Sequence, residues 1–412
     1  MITTGAHGHP VLTGTAEEIR DQIDRLRRQS PVVKAEAGGV LGWLILSHDL
    51  IKELAVDPRV SRDLRNHGPE ELRTSTNPMV ALARINDVSN LYGEEHRAER
   101  ARLSGPFTHR RVQAMESAVR READRLTGEL AATAPGEVAD LRQKIARPLP
   151  AAVICDLLGV PDHLRGPLLE AIDAMVDLTE RPPAQVAEDI ARLRVRMDEL
   201  RAYKLANPAD DLSTAVVRPP DGRPPLPEDA QRDTLFGVIG AGYETTVNLI
   251  TAAFFHLLRD RAAVRDLLAG RVDYEDVVEE TLRLQGPLSQ LPFRYAREDI
   301  RLDTGAVIRK GEVISFMYAV AGRDPAVHAE GPNEFQPSRP VKSHVAFGHG
   351  VHHCPGSSLG RLEAVTVLRA VMTALPDMTL ADPESEPPLI PSMVINGFTS
   401  LPVVPHPLSS GA

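Results

Sequence analysis

The amino-acid sequence predicts a mainly α-helical protein with a small β portion. Apolar residues recur with helical spacing over most of the 412 residues, and the spacing changes to a period of two only over short stretches. The 34 prolines cluster between the periodic segments, where they indicate helices that end sharply. The sequence has no internal repeat.

Most of the chain is expected to be helical. The stretch 66–91 has weak periodicity and contains Gly, Pro, Ser and Asn throughout, so it predicts a long ordered loop, a type of segment that often carries function. Pro148 and Pro150 predict that the helix containing them is kinked or split. The periodicity indicates helices over residues 15–30, 49–56, 94–103, 110–133, 140–158, 162–180, 183–206 and 357–375.

The longest helical pattern covers residues 228–260. At 1.5 Å per residue such a helix spans roughly 50 Å, so it would run through the whole molecule. The Pro-rich segment before it, 218–227, predicts an exposed loop rather than a domain boundary.

Strands are expected in two places. Residues 40–47 form an apolar run rich in β-prone side chains. Residues 294–318 alternate with a period of two, and Asp303-Thr304-Gly305 is typical of a hairpin turn. We therefore expect the β portion mainly in the second half of the chain.

Composition and charge argue against several classes of protein. The chain has 47 Lys and Arg against 57 Asp and Glu, a net charge of −10, whereas a nucleic-acid-binding protein usually has a basic balance. Its two cysteines, Cys155 and Cys354, indicate no disulfide framework and favour a reducing compartment. The most apolar stretch, 247–258, is too short to span a bilayer, and the N-terminus does not have the pattern of a signal peptide. We expect a cytoplasmic protein that binds neither nucleic acid nor membranes.

The most informative stretch is 347–356, Phe-Gly-His-Gly-Val-His-His-Cys-Pro-Gly, which a helix follows at once. A thiolate at Cys354 would be stabilised by the N-terminus of that helix, and the glycines allow the backbone to pass close to a flat object. A haem ligated by thiolate fits this combination best. The alternatives are a buried cysteine in a Gly-rich turn, or a zinc site with a spacing unusual for zinc, formed by His349, His352, His353 and Cys354.

The pattern Phe-Gly-x-Gly-x-His-x-Cys-x-Gly resembles the haem-binding loop of the cytochrome P450 family at every fixed position. The resemblance runs from about residue 17 to the C-terminal tail and is greatest to soluble actinomycete members of secondary metabolism. It implies a single cytochrome P450 domain over 1–412, with short flexible ends at about 1–12 and 406–412, and the long central helix over a haem b. It also implies that Cys354 ligates the iron and that Phe347, Gly348 and Gly356 bind the cofactor.

A second motif, residues 241–246, lies in the middle of the long helix and reads Ala-Gly-Tyr-Glu-Thr-Thr. Glycines are poor helix formers and a Thr hydroxyl can bond a backbone carbonyl, so a local opening of the helix is physically reasonable. The resemblance implies that the opening admits dioxygen and that Ala241 contacts the haem, while Glu244 and Thr245 form the acid–alcohol pair that delivers protons. The alternative is a Gly-tolerant core helix with solvated polar residues.

A third motif has a folding role by resemblance. Glu280 and Arg283 are three residues apart and therefore meet on one helical face. Arg339 follows in the segment Phe-Gln-Pro-Ser-Arg over 335–339, and it resembles the third member of the family's Glu-Arg-Arg structural triad.

Haem propionates need cations in a partly buried place. His96 and Arg100 are one turn apart on a predicted helix, and Arg294 begins the β segment. The resemblance implies that four residues converge on the two propionates: His96, Arg100, Arg294 and His352.

The resemblance implies a monooxygenase that hydroxylates or epoxidises an apolar small molecule, such as a polyketide, macrolide, terpenoid or steroid, with O2. Because the chain has no nucleotide-binding fingerprint and no iron–sulfur cysteines, electrons are expected to come from another protein. The resemblance implies that a ferredoxin and its NAD(P)H-dependent reductase supply them. Five basic residues are candidates for a ferredoxin-binding surface: Arg97, Arg102, Arg110, Arg111 and Lys342. Two alternatives remain open at this stage, namely oxidative C–C or C–O coupling of aromatic groups and a haem-thiolate protein without catalytic activity.

The family architecture also implies which segments surround the substrate. They are mainly apolar, and comprise 77–91, 168–186, 236–245, 288–293 and 393–398. Cys155 is expected to be a buried packing residue, and the sequence provides no account of the bulky Tyr243.

Overall fold

The structure is a computed structural model that describes residues 3–5, 8–173, 183–219, 222, 224–291 and 293–408. The helices expected from the periodicity are present, except that the predicted helix over 162–180 can be followed only to Asp173 because the rest lies outside the described residues. The α-helices of the described chain are α1 (Ala16–Arg27), α2 (His48–Val56), α3 (Leu64–His67), α4 (Glu70–Arg73), α5 (Pro78–Ala83), α6 (Gly93–Ser104), α7 (His109–Ala131), α8 (Pro148–Leu158), α9 (Asp162–Asp173), α10 (Pro183–Ala206), α11 (Leu212–Val217), α12 (Glu228–Arg259), α13 (Arg261–Leu268), α14 (Tyr274–Gln285), α15 (Tyr318–Ala321) and α16 (Ser357–Ala374).

The strands form one larger and two smaller sheets. The largest has the order β1-β2-β3-β4-β10-β7-β5, and the others are β11-β12-β6 and β8-β9. The strands are β1 (Thr3–Thr4), β2 (Pro10–Leu12), β3 (Val32–Ala37), β4 (Val40–Ile45), β5 (Val60–Ser61), β6 (Ala139–Asp140), β7 (Arg294–Ala296), β8 (Ile300–Arg301), β9 (Val307–Ile308), β10 (Val313–Phe316), β11 (Thr379–Leu380) and β12 (Pro402–Val404).

The expectation that the β portion lies mainly in the second half of the chain is wrong. Five strands of the large sheet come from the first 61 residues, and two, β7 and β10, come from the second half. The two halves join where β10 pairs in parallel with β4, Ile314 lying opposite Trp43. The period-two pattern underestimated the N-terminal strands because β1 and β5 have only two residues each.

Thr15 caps α1, its hydroxyl accepting from the Glu18 N–H at 3.3 Å while the Glu18 carboxylate accepts from the Thr15 N–H at 2.8 Å. Two local predictions agree with the structure. The region of Pro148 and Pro150 is split, with a π-helical turn over Arg142–Ala146 before α8. The hairpin turn at 303–305 joins β8 to β9, and its Gly305 has a φ of +84° that favours glycine.

The stretch 66–91 is less irregular than expected. It contains α4, α5 and a 3₁₀ turn over Val88–Asn90, separated by turns. Each piece is too short for the 3.6-residue period to be recognised. The N-terminal end, expected to be flexible, contributes β1 and β2 to the sheet, and Leu12 is buried.

Helix α12 forms the centre of the molecule. Its C-terminal half is buried on all sides, with Val247, Ile250, Ala253, Phe254 and Leu257 completely inaccessible. The helix packs against α8, α10, α14 and α16 within the main hydrophobic core. None of the described helices is long and apolar enough to cross a membrane.

The predicted Glu-Arg-Arg triad is assembled as one buried group. Both oxygens of Glu280 accept from Arg283, at 2.7 and 2.8 Å, and Oε1 also accepts from Arg339 Nε at 3.3 Å. The remaining Arg283 N–H groups donate to the carbonyl oxygens of Gly322, Pro332 and Glu334. These bonds attach α14 to the chain that leads into the loop 347–356.

We expect Glu280→Gln to destabilise the fold by about 3–5 kcal/mol, because it leaves two buried guanidinium groups without their anion. Urea unfolding followed by circular dichroism measures this change. The matched control is Glu275→Gln on the same helix, since Glu275 is exposed and lies 3.6 Å from Arg369. It should change the unfolding free energy by less than about 1 kcal/mol. Equal stability of the two variants would contradict the structural role of the triad.

Candidate active site

Three backbone hydrogen bonds shape the loop 347–356. The Cys354 N–H donates to the Phe347 carbonyl at 2.8 Å, and the Gly348 N–H donates to the Val345 carbonyl at 2.8 Å. The His353 N–H donates to the Gly350 carbonyl at 3.0 Å, closing a 3₁₀ turn. Gly348 and Gly350 have φ values of +72° and +70°, a conformation that side chains with a Cβ rarely adopt.

Cys354 lies at the end of this loop, just before α16 begins at Ser357. Burial raises the pKa of its thiol, and the Gly356 N–H, Arg100 and Arg361 oppose that effect. A Cβ at Gly356 would lie 3.9 Å from Cys354 Sγ and 3.8 Å from the Phe107 ring, so Gly356 stands at the sulfur. A buried thiolate needs a positive partner, and a haem iron is such a partner.

Phe347 fixes the position of the loop on α16. Its ring lies 4.5 Å from the guanidinium of Arg361, which Glu279 of α14 holds in an ion pair of 2.5 Å. Among the described residues, no group of three His, Cys, Asp or Glu side chains could hold a metal ion. The histidines at 349, 352 and 353 therefore do not form the zinc site that the sequence left as an alternative.

The middle of α12 has an open face. Gly240 and Ala241 are exposed although they lie in the centre of a 32-residue helix. The Thr245 hydroxyl donates to the Ala241 carbonyl at 2.5 Å, and the Thr246 hydroxyl donates to the Gly242 carbonyl at 3.1 Å. The Thr246 hydroxyl would lie 3.8 Å from a Cβ at Gly360 of α16, six residues after Cys354. The middle of α12 therefore lies beside the N-terminal end of α16, which is also the end at which Cys354 lies.

Glu244 and Thr245 do not lie on the same face. Glu244 is buried, and its Oε1 accepts from Arg142 Nη2 at 2.9 Å and from Asn248 Nδ2 at 3.0 Å. Arg142 Nη1 in turn donates to Asn248 Oδ1 at 3.1 Å. Successive residues on a helix point about 100° apart, so the acid reaches the π-helical turn while the hydroxyl stays at the open face.

The position of Tyr243 explains why this helix accommodates a bulky residue. Its side chain is buried, and its hydroxyl accepts from Arg147 Nε at 3.3 Å, beside the start of α8. It therefore packs away from the open face and does not narrow it. Gly242 is needed for this packing, because a Cβ there would lie 2.7 Å from Ile154 Cδ1 of α8.

The predicted propionate residues meet in one partly buried cluster of basic side chains. The His96 and His352 rings are 4.2 Å apart. Arg294 lies over the Phe316 ring at 3.8 Å and donates to the Tyr318 hydroxyl at 3.0 Å. Arg100 approaches from α6 and donates to the His353 carbonyl.

The sequence missed a further member, Arg62, which directly follows β5. Ser61 of β5 pairs with Tyr295 of β7, and this register places Arg62 close to Arg294. Burial and the Arg294 charge lower the pKa of Arg62 to about 10. Only strand pairing reveals this residue, since no local motif surrounds it.

Burial and the neighbouring cations dominate the electrostatics of this cluster. Burial, Arg100 and Arg62 lower the pKa of His96 to about 4, and burial with the Arg62 charge lowers the pKa of His352. Among the described residues, His96, Arg100, Arg294 and His352 form no ion pair with a carboxylate, and His96 Nε2 and Arg294 Nη1 are buried without a hydrogen-bond partner. The two carboxylates of a haem fit this donor set.

The segments expected around the substrate partly converge. Leu288 forms a β-bridge with Ile395, and the Ser289 N–H donates to the Val394 carbonyl at 2.8 Å, so 288–293 and 393–398 lie side by side. The Asn86 N–H donates to Asp233 at 3.0 Å, which attaches 77–91 to α12. Part of 168–186 lies outside the described residues. Cys155 is buried within the main core, as expected.

Comparison with known proteins identifies relatives along nearly the whole chain. The Cytochrome P450 family model matches residues 274–396. The chain is 33% identical over 384 residues to 2-hydroxy-5-methyl-1-naphthoate 7-hydroxylase of Streptomyces carzinostaticus, covering 92% of this chain and 93% of the relative. It is 31% identical over 369 residues to mycinamicin IV hydroxylase/epoxidase of Micromonospora griseorubida, covering 89% and 90%. The structure of CYP154A1 from Streptomyces coelicolor A3(2) superimposes with a TM-score of 0.90 at 38% identity, covering 96% of this chain and 100% of the other.

We expect Arg294→Gln to increase the rate of haem loss roughly tenfold to a hundredfold, because a hydrogen bond to a charged group contributes about 1.5–3 kcal/mol. Transfer of haem to an excess of apomyoglobin measures the rate. Arg297→Gln is the control, since Arg297 is exposed and donates to Tyr92 and the Pro58 carbonyl. Unchanged haem retention in Arg294→Gln would remove this residue from the haem site.

Proposed function

The chain belongs to the cytochrome P450 family and is a haem-containing monooxygenase, and from this premise we propose that it hydroxylates or epoxidises an apolar small molecule of secondary metabolism with electrons from a ferredoxin. The bound haem supplies the iron centre at which dioxygen is activated. The alternative of a haem-thiolate protein without catalytic activity is not favoured, because the relatives are named hydroxylases and monooxygenases. We propose that the chain works as a single domain.

We assign the roles of the site residues as follows. Cys354 ligates the iron, and His96, Arg100, Arg294 and His352 hold the propionates, to which we add Arg62. Phe347 and Gly356 shape the loop around the sulfur, Gly348 turns the loop, and Ala241 would contact the cofactor from α12. The support is that His96, Arg100, Arg294 and His352 form no ion pair with a carboxylate among the described residues, and that the sulfur lies at the N-terminus of α16.

The observation that carries the proposed reaction is the open face of α12. Gly240 and Ala241 leave backbone exposed, and the Thr245 hydroxyl stands beside them, donating to the Ala241 carbonyl. The Thr245 hydroxyl oxygen can still accept a hydrogen bond from a proton donor. An accessible hydroxyl among small residues is the arrangement needed to hold a proton near the reacting oxygen while leaving space for substrate.

The proposed substrate class rests on the lining and on the relatives. The half-buried residues of the segments expected around the substrate are mainly apolar and include Val88, Phe236, Leu288 and Met393. The relatives named above act on a substituted naphthoate and on mycinamicin IV, and another is named vitamin D(3) 25-hydroxylase. We therefore propose a polyketide, macrolide, terpenoid or steroid skeleton as the substrate.

The test of this function is turnover of a panel of such compounds with a ferredoxin, its reductase and isotopically labelled dioxygen. We expect a product that has gained one labelled oxygen atom. A product that has lost two hydrogens without gaining oxygen would replace hydroxylation by oxidative coupling. Consumption of NADPH without any product from the whole panel would contradict the substrate class.

We expect Thr245→Ala to uncouple turnover, because the hydroxyl that holds the proton at the open face is lost. NADPH consumption should continue while hydrogen peroxide replaces at least half of the product. Thr245→Ser retains a hydroxyl and should recover most of the coupling, and Thr246→Ala is a neighbouring control whose hydroxyl bonds to Gly242. Equal coupling in wild type and Thr245→Ala would remove Thr245 from the proposed proton path.

We propose that Glu244 feeds protons to Thr245 from its position between α12 and the π-helical turn. Both of its hydrogen bonds, from Arg142 and Asn248, reach Oε1, which leaves Oε2 for a water molecule on the route to Thr245. Arg142 is a positioning residue in this proposal, since it holds the carboxylate without touching the substrate. The buried ion pair keeps the acid aside from the apolar substrate space.

We expect Glu244→Gln to lower the rate of product formation at least about tenfold and to increase its solvent deuterium isotope effect, because an amide cannot pass on a proton. Glu363→Gln is the matched control. Glu363 is also a buried acid, on α16, and its Oε2 has no hydrogen-bond partner in the described chain. A similar loss of rate in both variants would indicate a structural effect rather than proton delivery.

We propose a ferredoxin-binding surface that uses fewer of the five candidate cations than the sequence suggested. Four of the five candidate cations are neutralised, Arg97 by Glu94, Arg102 by Glu99, Arg111 by Asp210 and Lys342 by Asp276. Arg110 is exposed and forms no ion pair with a described residue. It lies at the start of α7, three residues after Phe107, whose ring stands beside Gly356. We propose Arg110 as the main electrostatic contact with an acidic ferredoxin.

We expect Arg110→Glu to reduce the ferredoxin-supported rate about threefold to tenfold at low salt, because electrostatic attraction speeds association. The difference should fall as ionic strength rises. Arg121→Glu carries the same charge reversal at an exposed position eleven residues further along α7 and should have little effect. Equal rates for the two variants at low salt would contradict the assignment.

A further inference from the structure

A cavity of about 310 Å³ lies between α1, the end of α12, the end of α14 and the C-terminal loop 389–397. It is distinct from the proposed haem site. None of its lining residues belongs to the Cys354 loop, to the open face of α12 or to the cluster of basic side chains around Arg294. On α12 its wall begins at Phe255, ten residues beyond Thr245, a separation of about 15 Å along the helix axis.

Part of the cavity wall is apolar. It is formed by side chains from four parts of the chain: Ile19, Ile23, Phe255, Met317, Leu389 and Ile390. The volume is at the small end of the range of about 300–1,000 Å³ typical of ligand pockets. The cavity therefore suits the body of a small organic molecule.

The charges at the rim are mostly paired. Arg20 holds Glu386 through two hydrogen bonds of 2.8 and 3.2 Å, and Arg323 holds Asp24 at 2.9 Å. Asp21 also lines the cavity and is exposed to solvent. Arg259 is different, because its guanidinium lies 5.4 Å from the centre of the Phe255 ring and forms no ion pair with a described residue. An anionic group at the mouth would meet Arg259 while its apolar body lies on Phe255.

A buried donor in the wall points to the same ligand chemistry. His256 Nε2 lies 2.7 Å from Gln285 Oε1, and because an amide oxygen can only accept, the ring nitrogen donates. Burial lowers the pKa of His256 to about 4. The amide nitrogen of Gln285 has no hydrogen-bond partner in the described chain, and because Gln285 lines the cavity, a ligand oxygen there would satisfy it.

We propose that this cavity is a second binding site, for a small organic carboxylate with an alkyl or aryl body. The carboxylate binds Arg259, and the alkyl or aryl body packs against the apolar residues of the wall. The site does not depend on the proposed function. Its wall includes Ile395 and Asn396, so the ligand would contact the 393–398 segment. An effect on the substrate pocket is a consequence that rests on the proposed function.

Isothermal titration of the haem-loaded protein with octanoate tests the site, in saturating imidazole so that the open iron position is occupied. We expect one octanoate per chain, and much weaker binding of the uncharged 1-octanol. Arg259→Gln should weaken octanoate binding at least fivefold. Ile19→Trp, which fills the cavity from α1, should abolish it.

The matched control is Arg265→Gln, an equal loss of charge at an exposed position on α13 outside the cavity, and it should bind octanoate like the wild type. All variants should keep the visible spectrum of the haem, which reports their folding independently. Absence of binding to the wild type, or equal affinity for wild type, Arg259→Gln and Arg265→Gln, would overturn the proposal. A crystal structure with octanoate only beside the haem would overturn it as well.

Discussion

The cluster of basic side chains beside the Cys354 loop is the constraint on which the rest of the structure depends. Arg62, His96, Arg294 and His352 come from four parts of the chain and lie together, where desolvation and mutual repulsion lower the pKa values of Arg62 and both histidines. His96 Nε2 and Arg294 Nη1 are buried without a hydrogen-bond partner in the described chain, which is costly unless an acceptor joins them. In the proposed function the propionates of a haem would be those acceptors, so binding of the cofactor would stabilise this part of the fold.

The scaffold that holds this cluster connects distant parts of the chain. Strands β5 and β7 set Arg62 beside Arg294, and β10 carries Phe316, on which Arg294 rests. The Glu280–Arg283–Arg339 group attaches α14 to the chain that enters the loop, and Phe347 anchors the loop through Arg361 and Glu279. Each of these contacts is partly buried, so solvent screens its electrostatic attraction less. Together they give the cofactor site a rigid support.

Three consecutive residues of helix α12 point in different directions and have different roles. Tyr243 packs towards Arg147, Glu244 pairs with Arg142, and Thr245 stands at the open face. This division follows from the helical rotation of about 100° per residue. It keeps a charged group out of the apolar space while placing a hydroxyl inside it, and the small residues Gly240 and Ala241 provide the room.

The sequence by itself determined the features that rest on local spacing. These are the longer helices, the split at Pro148, the turn at Gly305 and the Cys354 loop. The tertiary structure decided what depends on partners distant in the chain. Arg62 joined the site through strand pairing, and the N-terminal strands were recognisable mainly by their place in the sheet. Glu244 lies 102 residues from its partner Arg142. The physical reason is that helical periodicity is a property of neighbouring residues, whereas the pairing of buried charges depends on which surfaces the fold brings together.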